Sequence, residues 1–297
     1  MDVIKRVRWQ RIALILLALL IISAGVVILE QRANTQQPGK SSRATTPVAT
    51  THSSQALQLV PQPTRTATAT STGTPKSGTN PQWQLIFSDD FNGSTLGPGW
   101  GAYSGPHGGG QSYYSPSDVK VQNGLLQLGI EKKVTGGLPY TTGGVGAFRY
   151  VQTYGKYEFR VKLPYGKGVG PYAILWPQNG DPSAQLDIFE SPPADKSTLY
   201  FTNHGGPGGS STQLRAHGSF AAGFHTLTCI WLPHQLQFLV DGVSQGTLTQ
   251  NVPHQLMWFG IAVSSGDAFT GLPDSTTALP VALEVDWVHI YAYKGQG

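Results

Sequence analysis

Tyr154-Gly155-Lys156-Tyr157-Glu158-Phe159-Arg160-Val161-Lys162-Leu163-Pro164 decides the fold. In it Tyr157, Phe159, Val161 and Leu163 alternate with Lys156, Glu158, Arg160 and Lys162. A period of two puts successive side chains on opposite faces of an extended strand, whereas a helix would repeat every three to four residues. The same alternation returns in Leu126, Leu128 and Ile130 and in Leu283, Val285 and Trp287. Between Gly-, Pro- and Asn-rich turns, further strands are expected near 83–91, 171–177, 184–190, 197–203, 224–232, 235–241 and 256–264. Many strands and no helical periodicity over residues 82–297 predict an all-β domain, a two-sheet antiparallel β-sandwich or a barrel. No internal repeat is present.

Working outward, the N-terminal third has a different character. Ile12 to Leu29 carries no charge and would make about 27 Å of helix at 1.5 Å per residue, against a bilayer core of roughly 30 Å. Lys5, Arg6, Arg8 and Arg11 precede it. The positive-inside bias therefore predicts a single-pass transmembrane anchor at 12–29 with residues 1–11 cytoplasmic and everything after it extracellular. The rival reading, a cleaved signal peptide, wants a shorter apolar core and a small-x-small site where Val26-Val27-Ile28-Leu29 stands. Either reading exports the rest of the chain. Residues 30–81 are dominated by Thr, Ser, Gln, Ala and Pro, with a single acidic residue, Glu30, at their start. Such a segment cannot bury enough apolar surface to offset its ordering entropy, so a disordered linker is expected.

Charge follows the same division. Residues 1–80 hold nine basic and two acidic side chains, leaving eleven basic and fourteen acidic for the other 217 residues. The sequence pI of about 9.1 thus belongs to the anchor and linker, and a nucleic-acid partner is excluded for the mildly acidic domain. A single cysteine, Cys229, rules out an internal disulfide. It lies in a strand-like run and reads as a small buried hydrophobe.

The segment that carries chemistry is Gln185-Leu186-Asp187-Ile188-Phe189-Glu190. In a regular strand positions 185 and 187 share a face and 190 points away. One extra residue at 188–189, a β-bulge, would return Glu190 to the face of 185 and 187. A polar row would then stand near Trp176, Tyr200 and Phe201, which suits a sugar-binding cleft. A solvated polar strand face is the plain alternative.

Several motifs, in order, resemble glycoside hydrolase family 16. Residues 154–164 are similar to the strand written YGxxExRxKxP. Asp187-Ile188-Phe189-Glu190 resembles the end of the family's E-x-D-x-x-E active-site strand. Phe224-His225-Thr226-Leu227, Trp231, Phe238 and Val240-Asp241-Gly242 resemble its F-H…W…F-x-x-D-G hairpin. Val285-Asp286-Trp287-Val288-His289-Ile290-Tyr291 resembles its closing strand, and Phe87-Ser88-Asp89-Asp90-Phe91-Asn92-Gly93 its opening one. The resemblance covers about residues 83–293.

It implies a concanavalin A-like jelly roll that cleaves β-linked glucans or galactans with retention, a hydrolase acting on polysaccharide. It maps Glu190 to the acid/base, Asp187 to the aspartate between the two catalytic carboxylates, and Gln185 to the nucleophile. A retaining glycosidase needs two carboxyl groups about 5–5.5 Å apart, and a neutral amide is a poor substitute. Three readings follow: another carboxylate, Glu158 or Asp181, is recruited; Asp187 takes over; or catalysis is lost and a lectin-like binding domain remains. Trp176, in Ala173-Ile174-Leu175-Trp176-Pro177, resembles a cleft tryptophan of the family, and His204 a histidine on the leaving-group side. Tyr103, Tyr113 and Tyr114 flank the Gly105–Gly110 loop and are candidates either to stack sugars at the cleft rim or to be ordinary surface tyrosines. Trp258 reads as core. The glycine runs lack the Gly-Lys-Ser/Thr ending of a phosphate loop. No His/Cys/carboxylate cluster has metal-ligand spacing, so no cofactor is expected. The resemblance implies a structural Ca²⁺ near Asp286 in some members, with backbone oxygens as most ligands.

Overall fold

The computed structural model describes residues 82–206 and 209–295. The expected anchor at 12–29 and the linker at 30–81 lie outside the described residues. Among those residues no helix is long and apolar enough to cross a membrane.

Two sheets face one another. The larger runs β16 (Val243–Leu248), β15 (Gln235–Val240), β14 (His225–Leu232), β9 (Gly155–Lys162), β18 (Val281–Tyr293), β6 (Leu125–Glu131), β7 (Tyr140–Thr142), β4 (Ser112–Tyr114) and β3 (Gly105–Pro106). To these β1 (Trp83–Asp89) adds on β18, and β5 (Val119–Gln122) on β6. The smaller runs β13 (Thr212–His217), β12 (Thr198–Asn203), β11 (Leu186–Glu190), β10 (Gly170–Pro177), β17 (Met257–Ser264), β8 (Gly144–Gly146) and β2 (Gly101–Ala102). Every strand expected from the alternation is found, within a residue or two at its ends. The pairing is antiparallel with one departure: β4 runs parallel to β7. Two short 3₁₀ turns, Pro116–Asp118 and Pro182–Ala184, are the helical elements among the described residues.

The sandwich follows from which side chains each strand turns inward. On β9, Tyr157, Phe159 and Val161 are buried while Lys156, Glu158, Arg160 and Lys162 stay half-exposed. From the facing sheet Phe189 and Phe259 meet Phe159 at ring separations of 6.0 and 5.4 Å. Full burial of each such ring contributes about 1.5–3 kcal/mol. Cys229 lies fully buried among these residues and burial pushes its thiol far up, as the reading of a small hydrophobe requires.

The smaller sheet is apolar on both faces near β10. Ala173 and Leu175 point into the main core, whereas Tyr172, Ile174 and Trp176 point the other way, into a second cluster with Trp258. Trp258 is buried, as expected of a core residue, in this second cluster on the outer face of its sheet. The bulge on β11 is present. Across to β10, Ala173 pairs with Phe189 and Ile174 with Asp187, so Ile188 is the extra residue. Across to β12, Asp187 opposes Thr202 and Glu190 opposes Tyr200. Ile188 and Phe189 both enter the core, and Glu190 returns to the face of Asp187.

Lys196 is fully buried, and its Nζ donates to the carbonyl oxygens of Gly166, Val169 and Pro193 at 3.1, 2.7 and 2.7 Å. The loop it grips is tied in turn to residues 265–277, through Ser265 Oγ to Gly168 O and Thr277 Oγ1 to Lys167 O.

Candidate functional site

The outer face of the smaller sheet gathers Tyr172, Ile174 and Trp176 from β10, Asp187 and Glu190 from β11, Thr202 from β12 and Trp258 from β17. Gln185 immediately precedes β11. It caps the 3₁₀ turn Pro182–Ala184 with its N–H on Pro182 O, and its own carbonyl accepts from the His204 N–H at 3.1 Å. Its backbone is thus fixed from both sides, and its side chain is only 6% exposed.

Four side chains are linked here. Gln185 Nε2 donates to Asp187 Oδ1. His204 Nε2 lies 2.6 Å from Asp187 Oδ2. Glu190, on the same face, feels the charge of Asp187. Asp187, 1% exposed, has both of its oxygens engaged, as a buried carboxyl requires. This orientation of the Gln185 amide follows from chemistry, since the reverse would set its carbonyl against a carboxylate. Its Oε1 is consequently left buried with no partner.

The electrostatics separate the groups. Burial, reinforced by the charges of Asp187 and Asp267, raises Glu190 well above the usual carboxylate range. That direction favours the protonated carboxyl, the form that can donate. Burial alone would lower His204, but the charge and hydrogen bond of Asp187 outweigh it and the net shift is upward. Both shifts put protons around Asp187.

The rest of this face is packed with rings. Trp258 meets Phe148 at 4.6 Å and Tyr103 at 6.3 Å, and Tyr103 meets Tyr114 at 5.3 Å. Glycines make the room. A Cβ on Gly260 would lie 2.2 Å from Tyr103 Oη, one on Gly144 2.5 Å from the Tyr103 ring, and one on Gly146 2.7 Å from Phe148. The reading of Tyr114 as a rim platform is corrected: it is buried, and its hydroxyl shares a 2.5 Å hydrogen bond with that of Tyr172. Tyr103 is half-buried, its hydroxyl covered and without a partner, because the glycines draw its ring down onto the sheet. Trp176 lies on the expected face but is 1% exposed, with Nε1 unpartnered.

Other candidates fall elsewhere. Glu158 sits on the outer face of the opposite sheet, 2.9 Å from Lys156 Nζ. Asp181 is committed as the N-cap of the 3₁₀ turn, accepting from Ser183 N and Oγ. Asp286 is the bulged residue of β18 and holds the Arg160 guanidinium. A cation already occupies that carboxylate, so these residues do not fit the calcium site considered for them. Among the described residues no group of three or more His, Cys, Asp or Glu could hold a metal. Asp267 was not singled out in the sequence. It accepts from Ser264 Oγ and from the N–H groups of Phe269 and Thr270, and its charge reaches Glu190 and Tyr172. Nothing in Ser265-Gly266-Asp267-Ala268 marks it. Tyr172 was legible in principle from its two-residue spacing with Ile174 and Trp176.

Comparison with known proteins gives a consistent picture. The sequence profile described as Glycosyl hydrolases family 16 matches residues 110–289. The chain is 26% identical over 239 residues to the endo-1,3-1,4-beta-glycanase ExsH of Rhizobium meliloti (strain 1021), covering 69% of this chain and 51% of that protein. It is 28% identical over 235 residues to the keratan-sulfate endo-1,4-beta-galactosidase of Sphingobacterium multivorum, covering 70% and 55%. The chain thus spans about half the length of these curated relatives. The laminarinase catalytic domain from Thermotoga maritima MSB8 superposes with a TM-score of 0.66 at 27% identity, covering 72% of this chain and 100% of that one.

Proposed function

The chain belongs to Glycosyl hydrolases family 16, and from that premise we propose that it hydrolyses a β-linked polysaccharide, a β-glucan or galactan, slowly. Glu190 is the acid/base, Asp187 the anion that orders its neighbours, His204 the group that fixes Asp187, and Gln185 the occupant of the nucleophile's position. The observation that carries this reading is the bulge that sets Glu190 on the face of Asp187; burial and Asp187 raise its pKa, the direction that suits a group protonating a leaving glycosidic oxygen. The β-glycanase and β-galactosidase named among the relatives support the substrate class.

Gln185 sets the limit on rate. Its amide carries no charge to stabilise an oxocarbenium-like transition state, and its partner Asp187 has both oxygens engaged. A second reading, a non-catalytic carbohydrate-binding domain, is favoured by the buried, unpartnered Gln185 Oε1, an acceptor for a sugar hydroxyl. The test is reducing-end release from β-glucans and galactans by the full-length chain and its Gln185→Glu variant. Slow release by the wild type and a gain of about a hundredfold or more in the variant are expected. Silence from both would leave the binding reading in place.

The same proposal displays the domain outside the cell on a single-pass anchor, N-terminus cytoplasmic. The uncharged run Ile12 to Leu29 behind four basic residues supports it. Protease added to intact cells should then remove the domain, whereas protection would place it inside.

A further inference from the structure

Gln185 leaves a site with an acid and, because both oxygens of Asp187 are engaged, no free carboxylate to attack the sugar. Two buried polar atoms beside it lack partners, the acceptor Gln185 Oε1 and the donor Trp176 Nε1. Leu175 pairs with Leu186, so the next step of the antiparallel register sets Trp176 across from Gln185. Their side chains are 1% and 6% exposed. An unpaired buried polar atom is costly to leave so, and these two suit a ligand that brings both a donor and an acceptor. A hydroxyl group does that, and so does a secondary amide.

Chemistry separates the two. A 2-hydroxyl group does not replace a missing carboxylate, whereas a 2-acetamido group carries a carbonyl oxygen that reaches C1 of its own ring. Hydrolases with no protein nucleophile can use that route. In a β-glycoside of gluco or galacto configuration the C2 substituent is trans to the leaving oxygen, as in-line attack demands. We propose that the sugar on the C1 side of the cleaved bond is a 2-acetamido-2-deoxy sugar whose carbonyl oxygen does the work Gln185 cannot. Gln185 Oε1 accepts the acetamido N–H, and Trp176 Nε1 donates to the acetamido oxygen and orients it. The inference rests on the hydrolase reading above.

The step balances as follows. Glu190 gives its proton to the glycosidic oxygen as the C1–O bond breaks, and the acetamido oxygen bonds to C1 to form an oxazolinium ion. Water then attacks C1 from the vacated face, the C1 bond to the acetamido oxygen breaks, and the Glu190 carboxylate takes the proton of the water. One water is consumed, the β configuration is retained, and Glu190 is again protonated. Asp187 assists through the amide. An N–H that donates to an anion leaves more electron density on Oε1, which strengthens its hold on the acetamido N–H as positive charge develops.

The experiment compares the full-length chain on β-linked oligomers of N-acetylglucosamine and of N-acetylgalactosamine with the matching 2-hydroxy oligomers. Turnover of a 2-acetamido series about a hundredfold faster or more is expected. Replacing acetyl by mono-, di- and trifluoroacetyl should slow it stepwise, because fluorine drains the carbonyl oxygen. Gln185→Ala should lower kcat on the 2-acetamido series about tenfold, the loss of one hydrogen bond to a developing charge. Equal turnover of the 2-hydroxy series, or rates indifferent to fluorination, would overturn the inference and leave the hydrolase reading intact. No product from any series would overturn both.

Discussion

The outer face of the smaller sheet has two halves built from opposite materials. Around β10 and β11 a bulge turns Asp187 and Glu190 outward, and hydrogen bonds among Gln185, Asp187 and His204 organise the surface. Around β2, β8 and β17 the strands carry Gly144, Gly146 and Gly260, and Tyr103 and Phe148 lie down on them against Trp258. The first half keeps Gln185 Oε1 and Trp176 Nε1 without partners. The second has filled its space with rings. A glycine-floored strand and a bulged strand in one sheet therefore serve opposite ends: one makes room for the protein's own rings, the other turns carboxyl groups to the outer face.

The largest break in this contrast is expected at Glu190. Glu190→Gln should lower turnover of the best substrate by about 10²–10⁴-fold, the usual worth of a general acid, without lowering the thermal midpoint. A fall in midpoint with turnover preserved would make Glu190 structural and sink its assignment. In the ring-filled half the expectation is reversed. Trp258→Ala should cost about 3–5 kcal/mol in urea unfolding, as large-to-small changes in packed sites do. A cost below about 1 kcal/mol would mean that the rings are dispensable.

The smallest expected effect is a pH dependence confined to the polar half. Glu190, raised from its ordinary 4.5, holds its proton more firmly folded than unfolded, so it favours folding less as pH climbs from 4.5 through its folded value. His204 is raised from 6.5. Its contribution is complete below 6.5 and is lost as pH rises through its folded value. Urea midpoints should therefore decline as pH rises, with the loss that begins near 4.5 absent in Glu190→Gln and the loss that begins near 6.5 absent in His204→Gln. Unaltered profiles in both variants would show that the two groups do not share Asp187.

The sequence told the two halves unequally. The sandwich was legible because burying one face of a strand forces a period of two, as Tyr157, Phe159 and Val161 record. The bulge was legible because Gln185, Asp187 and Glu190 break that period by one residue while Ile188 and Phe189 supply two apolar positions in succession. The ring-filled half was not legible. The use of Gly260 depends on Tyr103, which arrives from more than 150 residues away, so Tyr103 and Tyr114 read as rim or surface residues, and the core reading of Trp258 did not say which cluster it joins. Asp267 was hidden for a related reason, since a loop carboxylate acquires meaning only when the fold carries it to Glu190. The parallel pairing of β4 with β7 depends on a register between distant segments that no local pattern states.

Lys196 has a consequence of its own. Its ammonium supplies three N–H groups to three carbonyl oxygens, the kind of oxygen cage that elsewhere closes on a dissolved ion. Here the ion is welded to the chain: it cannot be dialysed out, exchanged for another or drawn off by a chelator. Burial pulls its pKa down to about 8, while the cage needs all three hydrogens. The bend that steadies Gly168, and beyond it the loop of Asp267, should therefore loosen as pH rises past about 8.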